Sequence, residues 1–444
     1  MGGEEPGSAR TERELADADA RYFLHQSAST PCLSAVRRAE GVWVEEIGGR
    51  RFMDFHGNSV HHLGYSHPRL VAALKAQLDD LTFSPRRFTN DIAIALARRL
   101  ADMAPAPLGK VLLAPSGNDA IEIALRLTRV ATGRFKTVSF WDSYHGAGLA
   151  ASSIGGEREY RSGANGPLLP GTEHVAPPTC YRCPYGYPER DGRPLLDVCR
   201  MKCADFVRYV LEREGDVAAV VAEPIRSNAY IPPPGFWAEV RAACDAHGAL
   251  LVFDEVPNGL GKTGRLFAFE HFDVVPDIVV LGKALGGGIL PLAAVIARQD
   301  LDVAGDLSIG HYTHEKSPLL ARAGLTTLDI LKDEGLVERA ARLGAWALER
   351  LQAIGRGHPR VGDVRGLGLR LALELVEDRT TKRPASVAAR EVARRAFDRG
   401  LSFTVSGESV LVLSPPLVIT EQELEQAFAI LDVSLGEMEA TAAV

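Results

Sequence analysis

Between residues 110 and 300, short runs that are apolar on both faces recur at Lys110–Ala114, Thr137–Trp141, Ala218–Ala222, Leu250–Val256, Ile278–Leu281 and Leu292–Ile296. Amphipathic stretches of helical period separate most of them, at 119–131, 200–214 and 235–247. Buried strands alternating with helices predict an α/β fold with a doubly wound, mostly parallel sheet covered on both sides. The flanking pattern differs. Val42–Ile47 and Arg51–Phe55 alternate around Gly48-Gly49, which predicts a hairpin. Helical periods cover 13–25, 68–81 and 90–103, the last with Asn90 placed as its N-cap. Beyond residue 317 the chain turns helical, then gives strands at Leu369–Val376 and Val410–Leu413. Thr420 and Glu423 form a capping box opening a final helix. Residues 1–12 are expected to be disordered. The Gly- and Pro-rich segment 156–198 is expected to be a long functional or interfacial loop. The predicted division is an N-terminal segment, 1–75, joining a small α+β domain at 326–444, with a large α/β domain at 76–325.

Composition narrows the class. The 444 residues are 46% hydrophobic and 24% charged, and no apolar run approaches the roughly 18–20 residues of a membrane helix. Met1–Ala20 is polar and acidic, without the apolar core of a secretory signal, and Pro6 stands where a myristoylation signal wants Ser or Thr. A net charge of -7 with no basic stripe argues against nucleic acid as a partner. The expectation is a cytoplasmic enzyme of two lobes. Six cysteines are too sparse for a disulfide framework. Four cluster as Cys180, Cys183, Cys199 and Cys203, with C-x2-C and C-x3-C spacings. That pattern suits zinc or a loop of free thiols, and no tightly bound metal is expected.

Candidate chemistry lies at the C-terminal ends of the strands, where open α/β sheets bind ligands. Leu250–Phe253 ends in Asp254, and Ile278–Leu281 is followed by Gly282-Lys283. A charge at the end of a fully apolar strand is costly unless a partner meets it. Either the two side chains pair with each other, or they serve a cofactor. Pyridoxal 5'-phosphate needs both a lysine for its aldehyde and an acid facing its ring nitrogen. Ser116-Gly117-Asn118-Asp119 opens a helix and offers free N–H groups to a phosphate. Tyr144 and His145 follow another strand end, where an aromatic can stack on a flat ring.

Together these stretches resemble the class III aminotransferase family, pyridoxal-phosphate enzymes of fold type I. The resemblance runs from about Val42 to Leu431. Its strongest segments are Leu251–Val256, Gly261–Arg265, Phe269–Phe272, Pro276–Ile278 and Gly282–Gly288. It implies that Lys283 condenses with the aldehyde, Asp254 faces the ring nitrogen and Val256 lies under the ring. It implies that Gly117 and Asn118 bind the phosphate, with Tyr144, His145 and Glu223 around the ring. Thr313 matches a threonine that reaches the phosphate from the neighbouring subunit, which implies a homodimer with shared sites.

Departures from the family pattern bear on the substrate. Pro257-Asn258 stands where a Gln near the cofactor's phenolic oxygen is usual. Val412 stands where many members that use α-keto acids carry an Arg, the natural clamp for a carboxylate. Arg86, Arg87 and Arg226 are candidates for holding an anionic substrate, or are plain salt bridges; Asn58 is a further candidate at the substrate. Three stretches, Phe55–His61, Pro85–Asn90 and Gly310–Lys316, are similar to a narrower group, the 1-hydroxy-2-aminoethylphosphonate ammonia-lyases. His61, His311 and His314 nearby are read as structural more readily than as proton carriers. The expected reaction is β-elimination from a small hydroxylated aminophosphonate, releasing ammonia and an aldehyde. An aminotransferase is the alternative, and a racemase or epimerase stays open.

Overall fold

A computed structural model describes residues 11–27, 29–187 and 195–442. Its centre is a seven-stranded sheet in the order Leu108–Ala114, Ala293–Arg298, Ile278–Leu281, Leu250–Asp254, Val217–Ala222, Lys136–Phe140, Thr172–Val175. All neighbours run parallel except Ala293–Arg298, which is antiparallel to the strand on either side. Val217–Ala222, Leu250–Asp254 and Ile278–Leu281 are buried at every position, because helices cover both faces. Gly117–Thr132 packs on one face, and Lys202–Glu214 with Phe236–His247 lie together on the other side of the sheet's edge.

Two four-stranded sheets flank it. Val361–Leu367, Arg370–Leu375, Val410–Leu413 and Thr404–Ser406 form one antiparallel sheet. The predicted hairpin, seen as Trp43–Glu46 and Arg51–Asp54, is extended by Val36–Glu40. Its other edge takes Leu401–Ser402 in parallel, so the start of the chain is stitched to its end. Asn90 caps Asp91–Met103 as expected, accepting from the Ala93 N–H at 2.8 Å. Thr420 and Glu423 form their capping box.

Three expectations need correction. Residues 1–10 lie outside the described residues, but Thr11 and Glu12 are not disordered. Thr11 and Glu14 make a capping box that starts the helix Glu12–Tyr22. The segment 156–198 is not wholly irregular, since Thr172–Val175 adds the last strand of the central sheet and Leu195–Cys199 is a short helix. An edge strand of Thr-Glu-His-Val carries too little apolar pattern to announce itself. Val361–Leu367 was missed for the same reason: it is half-buried and interrupted by Gly362 and Gly366.

Candidate active site

Three strand ends converge on one point. Val256, two residues past Asp254, lies against both Gly117 and Gly282: a Cβ on either glycine would stand 3.2 Å from its methyl groups. A side chain at either position would press on Val256, so the two glycines ease the close approach of the start of the helix Gly117–Thr132, the acid and the lysine turn. Ser116 is the N-cap of that helix, accepting from the Asp119 N–H at 3.2 Å. The N–H groups of Gly117 and Asn118 belong to the first turn, where no helical acceptor exists, and they carry the positive end of the dipole. The Asn118 side chain is turned away to accept the Gly148 N–H at 2.8 Å, which fixes the loop after Tyr144.

Asp254 and Lys283 do not pair with each other. Asp254 is buried, takes the Val256 N–H on Oδ1 at 3.0 Å and lies 2.8 Å from Nδ1 of buried His145 on Oδ2. Both contacts orient the carboxylate. Lys283 sits in the left-handed region at φ 44°, an uncommon state for a side-chain-bearing residue and one concentrated at functional sites. Among the described residues its amine has no hydrogen-bond or ion-pair partner. Burial pushes its pKa below the ordinary lysine range; Asp254 opposes this, and the Arg370 cation adds to it. An orphaned, partly desolvated amine beside an oriented acid and a free helix N-terminus fits pyridoxal phosphate. Lys283 would take its aldehyde, Asp254 its ring nitrogen, and Gly117 with Asn118 its phosphate.

Tyr144 is half-buried, its ring centroid 4.7 Å from that of Tyr160. Glu223 is buried at the end of Val217–Ala222. Its Oε1 accepts the Ser227 N–H at 3.2 Å, and its Oε2 lies 3.4 Å from Nε of Arg226. Arg226 also donates to Glu157 at 3.2 Å, so it is committed to two carboxylates rather than free for an anion. Arg86 donates to the carbonyl of His311 at 3.0 Å and contacts its ring, while Asn90 donates to the carbonyl of Lys316 at 2.9 Å. The loops carrying Arg86, exposed Arg87 and exposed Thr313 therefore form one cluster. Asn58 is exposed at φ 46° beside Ser59, whose hydroxyl is held by Arg370. Burial lowers His61 to about 4, and its Nε2 lies 3.0 Å from the carbonyl of Asp54, which makes it a structural neutral ring. His314 packs edge-on against Phe83.

Cys180, Cys183, Cys199 and Cys203 line one small pocket with Tyr185, Tyr187 and several prolines. Among the described residues no group of three or more His, Cys, Asp or Glu is arranged to hold a metal. The loop is clasped elsewhere: Arg182 pairs with fully buried Glu374, and the Lys382 ammonium stands over the Tyr181 ring.

Sequence reading missed Arg370. Its guanidinium is 2% exposed and donates to Asn258 Oδ1, Ser59 Oγ and the carbonyls of Ser227 and Pro257. The signal was present: a single cation inside Leu369–Val376, an otherwise mostly apolar strand, must have a reason. Val412 is buried at 3% in a cluster with Ala229, Ala372 and Val410, so apolar contact fills the place where an arginine clamp would be.

This fold, a mixed sheet with a lysine, an acid and a helix N-terminus at its strand ends, is that of the fold type I pyridoxal-phosphate enzymes. The chain belongs to the class III aminotransferase family, whose model matches residues 24–435. It is 41% identical to the (R)-1-hydroxy-2-aminoethylphosphonate ammonia-lyase of Vibrio splendidus, over 95% of this chain and 89% of that one. It is 34% identical to the leucine/methionine racemase of Thermococcus litoralis, over 96% of each. The crystal structure of a Bacillus anthracis aminotransferase superposes with a TM-score of 0.89 at 30% identity, covering 96% of this chain and 98% of that one. No helix among the described residues is long and apolar enough to cross a membrane.

Proposed function

We propose that this enzyme is an ammonia-lyase acting on a hydroxylated aminoethylphosphonate, giving an aldehyde and ammonia. The observation that carries the reading is the 41% identity, along nearly the whole chain, to a relative named for that reaction. The apolar contact at Val412 supports it, because an enzyme that alternates an amine with an α-keto acid gains from a cation there.

Pyridoxal phosphate, when bound, supplies an aldehyde for the substrate amine and a ring that withdraws electrons from the carbon bearing the nitrogen. Asp254, held by His145 and the Val256 N–H, keeps a proton on the ring nitrogen. Lys283, its pKa lowered by burial, takes the proton from that carbon as a general base. Gly117 and Asn118 anchor the phosphate through backbone N–H groups.

The enzyme works as a homodimer in this reading. The cluster of half-buried Arg86 with exposed Arg87 and Thr313 lies on loops that stitch to each other, and in this reading it serves the partner's site. There the two arginines meet the substrate's phosphonate. The test is incubation of the holoenzyme with the hydroxylated aminophosphonate and no keto acid. Ammonia in molar excess over enzyme is expected. Turnover that appears only with pyruvate or 2-oxoglutarate makes the enzyme an aminotransferase instead.

A further inference from the structure

An elimination that expels hydroxide needs an acid, since hydroxide is a strong base and a poor leaving group. The reading above leaves that acid unassigned. One carboxyl stands in position for it. Gly156 runs so close to the end of Lys136–Phe140 that a Cβ there would lie 2.2 Å from the carbonyl oxygen of Phe140. The N–H groups of Gly156 and Glu157 both donate to the carbonyl of Ser143, at 2.8 and 3.1 Å. Glu157 is thereby pinned beside Tyr144 at the strand ends that carry the site.

Its side chain is held at one oxygen only. Oε1 accepts from Arg226 at 3.2 Å, while Oε2 has no hydrogen-bond partner among the described residues. The side chain keeps 30% of its surface exposed, so the free oxygen is reachable. Arg226 is shared with Glu223, and the facing atoms of that second pair, Nε and Oε2, are buried without a hydrogen bond. Glu223, Arg226, Ser143, Tyr230 and Trp237 line one small pocket. Two carboxylates cannot both be neutralised by one guanidinium. Burial raises Glu157 to about 6; Arg226 opposes this, and Glu223, Asp142 and Glu159 reinforce it. Both glutamates act electrostatically on the Lys283 amine.

Resting on the lyase reading, we propose that Glu157, oriented by Arg226, is the general acid that protonates the departing hydroxyl. After Lys283 has taken the proton from the nitrogen-bearing carbon, the electron pair left there forms the carbon–carbon double bond. The carbon–oxygen bond breaks with its pair on oxygen, the proton on Oε2 passes to that oxygen, and water leaves. Glu157 ends as a carboxylate beside Arg226 and is reprotonated from solvent. No oxidant or reductant is involved. Arg226 is a positioning residue.

The test separates the acid from the rest of the machinery by the leaving group. Glu157→Gln is compared with the unaltered holoenzyme on the hydroxylated substrate and on the analogue carrying fluoride in place of the hydroxyl. Exchange of the hydrogen on the nitrogen-bearing carbon is followed in D2O. The expected result is a loss of ammonia release of about 10²-fold or more from the hydroxylated substrate. Fluoride release and deuterium exchange stay within a few-fold, and Glu157→Asp recovers part of the lost rate. Unchanged elimination from the hydroxylated substrate overturns the assignment, as does equal loss with both leaving groups or no recovery in the aspartate variant. If the unaltered enzyme releases no ammonia from the hydroxylated substrate, the lyase reading falls before any variant is compared.

Discussion

Lys283 and Asp254 are held apart by their neighbours. Asp254 spends its hydrogen bonds on His145 and its own turn, which leaves the lysine amine unpaired. The unpaired amine is then available to an aldehyde. Lys283→Ala in a folded protein is expected to lack the visible absorbance of lysine-bound cofactor and its fixation by borohydride. Persistence of both would refute the assignment. Arg370 is a different kind of residue. It spends four hydrogen bonds on neutral oxygens from three separate segments. Arg370→Met removes the cation and strands those acceptors in a buried space. The expected outcome is a loss of about 3 kcal/mol in denaturant unfolding, since each orphaned polar group costs about 1–3 kcal/mol. A midpoint unchanged from the parent would show that the hub is dispensable.

Elements were legible in proportion to their apolar pattern. Ile278–Leu281 and Val410–Leu413 fall where the hydrophobic runs put them, because strands buried on both faces have no polar positions to blur the signal. Leu250–Val256 was read two residues long, because the strand ends at Asp254 and the buried Glu255 and half-buried Val256 lead into a turn. Thr172–Val175 and Val361–Leu367 stayed hidden, since edge and half-buried strands carry too few buried positions to make an apolar run. The site divides the same way. Asp254, Lys283 and the Ser116–Asn118 turn carry signatures in the local sequence. Glu157 and Arg370 act through contacts from far along the chain, 69 residues to Arg226 and 112 to Asn258. Packing also rests on glycines with no local signal. Gly344, inside the helix Leu336–Gly357, would place a Cβ 2.1 Å from the carbonyl oxygen of Gly368. The nearest atoms all belong to the Gly368 backbone, which cannot move aside cheaply. Gly344→Ala is expected to cost about 3 kcal/mol, read as a fall in thermal midpoint. An unshifted midpoint would mean the helix slides to make room.

At the scale of the whole molecule, the chain's two ends meet in one sheet through Arg51–Asp54 and Leu401–Ser402. Arg370 carries the C-terminal sheet into contact with Ser59 near the chain's start and with Pro257-Asn258 beside the cofactor acid. Closure of these parts on one another and shaping of the site are thus the same set of contacts. The family's shared machinery sits in the central sheet. Val412, a departure from the family pattern, lies with its apolar neighbours in the C-terminal sheet, and the linked Glu157, Arg226 and Glu223 lie beside the central strand ends. Such an arrangement lets one fold run different chemistries from a common proton-abstraction step. The most direct test is ammonia released from a hydroxylated aminoethylphosphonate by the holoenzyme with no keto acid present. Many equivalents per active site are predicted. Amine consumption that starts only when pyruvate or 2-oxoglutarate is added would contradict the account.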